Sequence, residues 1–146
     1  MCIPFIEKKY RIKKGAEFRG LGGSSDAALI SLYTAIKKPN TFGRLLLESP
    51  SLQANDGKIF EEVNNLETLP TQIYIGVGTN EEALPRCTFG DNRQAPVQDV
   101  LKLKTIFQSK DFDDKSLKVL IEDCAKKSEV AYGRRFYDAM RFFFPR

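Results

Sequence analysis

Short strand-like segments alternate with helix-period segments four times along this chain, and no other feature constrains the fold as strongly. The strand-like segments cover 17–22, 44–48, 72–77 and 117–121. Arg44-Leu45-Leu46-Leu47-Glu48 and Gln72-Ile73-Tyr74-Ile75-Gly76-Val77 are apolar at consecutive positions, the pattern of strands covered on both faces. After the first run, Leu29, Leu32, Tyr33 and Ile36 recur at helical spacing within Ala27–Lys38. Pro39 and Asn40 end that helix, and Lys37 and Lys38 suit its C-terminal dipole. Ile59, Phe60 and Val63 predict a short helix. Val97, Val100, Leu101 and Phe107 mark a longer one. Tyr132, Phe136, Ala139, Met140 and Phe143 carry a helix to the C-terminus. Residues 4–10 read as one more, opened by Pro4 and stopped near Gly15. This alternation predicts an α/β fold, a parallel sheet of about four strands flanked by helices. Sites in such sheets form beyond the carboxyl ends of the strands. The loops to inspect are therefore 22–27, 48–57, 78–96 and 122–131.

Composition enters where it excludes chemistry. Among 146 residues there is no His. A complete Ser-His-Asp triad, a Cys-His dyad and any His-ligated metal site are therefore excluded within this sequence. The net charge of +4 sits in residues 1–20, where Lys8, Lys9, Arg11, Lys13, Lys14 and Arg19 face Glu7 and Glu17. Interleaved with Ile6, Tyr10 and Ile12, these cations read as the solvated face of a short helix. No nucleic-acid motif follows them, so no nucleic-acid partner is expected. The apolar runs fall far short of a membrane span. Cys2, Cys87 and Cys124 are odd in number and widely spaced, which fits reduced thiols and a cytoplasmic setting.

Gly22-Gly23-Ser24-Ser25-Asp26-Ala27-Ala28 joins the first strand to the first long helix. It supports three readings. As a nucleophile elbow it needs small residues two before and two after the nucleophile, because strand and helix approach closely. Gly23 and Ala27 then flank Ser25, and the Asp26 backbone N–H is an oxyanion donor. As a phosphate cradle, Gly20 through Ala28 resembles the glycine-rich motif of the GHMP kinases, where backbone N–H groups meet an anion. As a plain helix start, Ser24 or Ser25 is an N-cap.

From about residue 4 onward the chain resembles the esterase D and enterochelin esterase-like branch of the α/β-hydrolases. Pro4-Phe5-Ile6-Glu7-Lys8-Lys9-Tyr10-Arg11 looks like the helix before that family's nucleophile strand. Ser24-Ser25-Asp26-Ala27-Ala28 matches its elbow. Lys38-Pro39-Asn40-Thr41-Phe42-Gly43 and Glu48-Ser49-Pro50-Ser51-Leu52 match the segments that follow. Ile73 through Glu81 looks like the strand leading to the acid, and Tyr132 through Pro145 like the terminal helix. The resemblance implies a truncated α/β-hydrolase fold, with residues 1–146 forming a partial esterase-like domain. It implies Ser25 as nucleophile, Glu81 as triad acid (Glu82 and Asp91 being alternatives) and no cofactor.

Three departures qualify that expectation. By spacing, Lys127 stands where the family has its His, and a Lys serves as base only if burial or nearby positive charge lowers its pKa. Asp26 places a carboxylate beside the developing oxyanion, although at a helix start it stabilises by roughly 0.3–1 kcal/mol. The chain also matches only about the second half of the family's domain, which leaves one edge of strand 17–22 unpaired. Self-association, or cover by an N-terminal half, is expected there. The expected activity is hydrolysis of a small carboxylic ester through Ser25, impaired or lost for want of His. A non-enzymatic module pairing through the open edge is the alternative, and the phosphate binder stands behind both.

Overall fold

The structure is a computed structural model describing residues 2–145. Helix α1 spans Cys2–Lys9, and an Arg19–Glu7 ion pair at 2.5 Å ties it to the segment entering the sheet. The sheet contains β1 (Gly20–Ser24), β2 (Arg44–Glu48), β3 (Gln72–Gly78) and β4 (Leu117–Glu122). Helices α2 (Asp26–Lys37), α3 (Lys58–Asn64) and α4 (Ala95–Gln108) connect them, and α5 (Glu129–Phe143) follows. Strand order is β1-β2-β3-β4 and every pairing is parallel. The expected α/β architecture is therefore present.

Side-chain alternation explains the two layers. Leu45, Leu47, Ile73, Ile75 and Val77 point to one face and join a core with Leu32, Ile36, Val63, Val100 and Leu103 of α2, α3 and α4. Tyr74 points the other way, against Ala139 and Phe143 of α5, with Leu46 and Leu120 alongside.

Several details depart from the sequence expectations. The first strand is Gly20–Ser24 rather than 17–22, because Ala16–Phe18 closes a 3-10 turn after Gly15 at φ 119°. The face of α2 against the sheet is Ala28, Ser31, Leu32, Ala35 and Ile36, whereas Tyr33 is exposed. Small residues lie inward because helix and strand nearly touch: a Cβ on Gly23 would sit 2.7 Å from the Ala27 Cβ. On α5 the inward positions are Ala131, Arg135, Ala139 and Phe143, and Phe136 is exposed.

The cysteines are corrected too. Cys87 and Cys124, 37 residues apart, form a disulfide. Parallel pairing of β3 with β4 brings the loops after both strands together, which sequence spacing does not reveal. Paired cysteines belong to oxidising settings, so the cytoplasmic expectation loses its cysteine argument. Among the described residues no helix is long and apolar enough to cross a membrane.

Candidate active site

The carboxyl ends of all four strands converge on one rim of the sheet. Ser25 follows β1 directly, at φ 56° and ψ −123°. A non-Gly residue held at positive φ is strained by on the order of 1–3 kcal/mol. The strain is held in place from both sides. The Ser25 N–H donates to the Glu48 carbonyl (2.8 Å), and its own carbonyl accepts from Ala28 (3.2 Å), Leu29 (3.3 Å) and Ser51 (3.3 Å). The Ser25 Oγ lies 3.3 Å from the Ser51 Oγ. No side-chain capping bond forms at Ser25, so the plain N-cap reading has no support there. Residues 20–24 run as a strand paired with β2 rather than as a loop. They are therefore not the glycine-rich loop that a phosphate cradle uses. Asp26 opens α2, where the first N–H groups lack intrahelical partners, and its side chain is exposed.

Glu81 follows β3. Its Oε1 accepts from the Ser49 Oγ and from the Gly78 N–H, both at 2.7 Å. Ser49 is 3% exposed and adopts φ 44°. Glu82 is exposed. Asp91 is occupied by Arg93 at 2.7 Å, a pairing that lowers its pKa to about 2. Lys127 lies exposed on the loop between β4 and α5, and among the described residues no hydrogen bond links it to Ser25 or Glu81. The rim thus gathers the Ser25 and Glu81 loops around Ser49 and Ser51, while Lys127 stays outside that bonded group.

A buried guanidinium underlies the rim. Arg135, 1% exposed, donates from Nε to Glu48 Oε2 (2.7 Å), from Nη1 to Glu122 Oε2 (2.9 Å) and from Nη2 to the Ser49 Oγ (3.3 Å). Gly76 makes room for it, since a Cβ there would lie 2.6 Å from Glu48 Oε2 and 2.8 Å from Arg135 Nε. Burial raises the Glu48 pKa and the Arg135 charge opposes that shift. Glu48 Oε1 is buried with no hydrogen-bond partner among the described residues. The phenol of Tyr132 stands next to Arg135, with its pKa raised chiefly by burial. Among the described residues no group of three or more carboxylates or cysteines is placed to hold a metal ion.

The sequence profile of the family described as "Putative esterase" matches residues 2–118. The chain belongs to this esterase family. Uncharacterized protein YbbA of Bacillus subtilis (strain 168) is 24% identical, over 97% of this chain and 55% of the relative. YjcH of the same organism is 30% identical, over 54% of this chain and 32% of the relative. The chain thus spans about half or less of the curated relatives it matches. Among solved structures, the enterochelin esterase of Shigella flexneri superposes with TM-score 0.75 at 16% identity, over 98% of this chain and 34% of that one. The siderophore hydrolase EstA of Aspergillus nidulans gives TM-score 0.66 at 20% identity, over 98% of this chain and 54% of that one. These likenesses establish a truncated α/β-hydrolase-like fold, as the sequence resemblance implied.

In this esterase-family chain, the sequence alone gives Glu48 only as the end of an apolar strand and does not single out Glu122 or Arg135. One signal was available. Arg135 stands four residues from both Ala131 and Ala139, inside the apolar stripe of α5.

Proposed function

We propose that this chain is the nucleophile-bearing part of an esterase domain and that its chemistry is acyl transfer from a small carboxylic ester to Ser25. The observation that carries this reading is the Ser25 backbone, strained at φ 56° on a strand-to-helix turn with small residues on either side. In the proposed step the Ser25 Oγ bonds to the ester carbonyl carbon as its proton passes to a base. The Asp26 N–H donates to the oxyanion, the alcohol leaves, and water then releases the acid. Glu81 is the acid of the constellation, and Lys127 stands at the base position. A carboxylate orients and stabilises an imidazolium, and this chain has no imidazole to orient. Lys127 is exposed on its loop, and among the described residues no hydrogen bond joins it to Ser25. Turnover is accordingly slower than that of a complete triad by about 10⁶-fold, leaving about 10³–10⁴-fold over the reaction in water. A fluorophosphonate probe tests this. Slow labelling of Ser25, abolished in Ser25→Ala, is expected. A folded sample that stays unlabelled at alkaline pH overturns the reading.

One observation favours a second role. Strand β1 lies at the sheet edge, and Gly20 and Gly22 are exposed on it. Such an edge is a template for pairing, which supports self-association through β1 or cover by an N-terminal half.

A further inference from the structure

We propose that Arg135 is the positioning residue of this site, setting the Ser25 elbow and the Glu81 carboxylate at once from beneath the rim. The proposal rests on the esterase reading for the roles of those two residues. Its basis is connectivity. One guanidinium reaches the carboxyl ends of β2 and β4 directly, through Glu48 and Glu122. It reaches the end of β3 through one hydroxyl, because Ser49 receives from Arg135 Nη2 and donates to Glu81 Oε1. The residue whose side chain it grips hardest, Glu48, also supplies the backbone carbonyl that holds the Ser25 N–H. Both candidate groups are thus one step from the same side chain.

The chemistry of the residue fits that task. A guanidinium presents donors in a rigid fork, so it fixes several acceptors in a set relative geometry, which a lysine ammonium does not. Burial lets those bonds act without competition from water. Neutralisation alone would need one carboxylate, yet Arg135 meets two carboxylates and a hydroxyl. Among the described residues no other side chain is hydrogen-bonded to Glu48, Glu122 and Ser49 together. Serine at positive φ is itself uncommon, and the Ser49 position at φ 44° is held by its N–H bond to the Gly76 carbonyl (2.7 Å) and by the Arg135–Ser49–Glu81 chain.

Backbone amide exchange in the full chain, read by NMR, tests the proposal without requiring turnover. Arg135→Lys keeps the charge and removes the fork, whereas Ser49→Ala removes only the hydroxyl link. In Arg135→Lys the Ser25 and Gly78 amides are expected to exchange about tenfold faster while core amides such as Ile73 and Leu103 hold their rates. In Ser49→Ala only Gly78 should accelerate, again about tenfold. Fluorophosphonate labelling of Ser25, normalised to the folded fraction, should fall in Arg135→Lys. Uniform acceleration across the sheet, the mark of a merely structural residue, overturns the proposal, and so does unchanged exchange at Ser25 and Gly78. Should Arg135→Lys fail to fold, Ser49→Ala decides, and an unmoved Gly78 amide is then fatal. A wild-type chain that resists labelling overturns the esterase reading alone, leaving exchange to judge Arg135.

Discussion

Glu48 is a carboxylate kept in the interior by one partner. Burial raises its pKa and the Arg135 charge only partly offsets this, so the folded chain holds the Glu48 proton more tightly than the unfolded chain does. Linkage gives the sign. Stability from this group is fully present below the ordinary glutamate value, about 4.3, and is lost as pH rises through the raised folded value. Glu48→Gln removes that dependence. Urea titrations from about pH 4 upward should therefore show wild type losing stability relative to Glu48→Gln. A wild type that gains instead would put the Arg135 attraction ahead of burial. Of this cluster the sequence disclosed little. Glu48 closed an apolar run and Arg135 interrupted an apolar stripe, but the two are 87 residues apart. A charge in a helix reads as solvated until its partner is placed. The strand-to-helix turn at Ser25 is legible, because small residues at fixed local offsets mark it and the structure turns there at positive φ.

Apolar runs and the helical repeat located β2, β3, β4 and the long helices, since these patterns are properties of contiguous residues. The glycine-rich start of β1 carried no such pattern, and its strand bounds moved by several residues. Orientation was harder than existence. Helix α2 turned its small residues inward, because close approach to a glycine strand outweighs burial of larger side chains. Two substitutions separate these effects. Gly23→Ala forces a Cβ to within 2.7 Å of the Ala27 backbone, and overpacking of that kind costs about 1–3 kcal/mol. Gly133→Ala meets nothing within 4 Å on α5 and should stabilise by about 1 kcal/mol through helix propensity. Chemical denaturation of both variants reads these opposite signs.

At the scale of the molecule the sheet is unequal at its two faces. Three helices cover one side, and on the other α5 packs over β2, β3 and β4, so Gly20 and Gly22 of β1 remain exposed. Sedimentation velocity should show concentration-dependent association, and Gly20→Lys, where a Cβ has room at 3.8 Å, should abolish it. A wild-type chain that sediments as a monomer at all concentrations removes the edge-pairing role. Beyond the carboxyl ends of β3 and β4, two loops are joined covalently. The disulfide joins the Glu81 loop to the Lys127 loop across a span that includes Phe89, 79% exposed. An exposed loop tip is where proteases cut. Chymotrypsin acting after Phe89 would therefore leave two fragments that migrate as one species on a non-reducing gel and separate only when a thiol is added, so that a nick in this loop is silent until the bond is reduced.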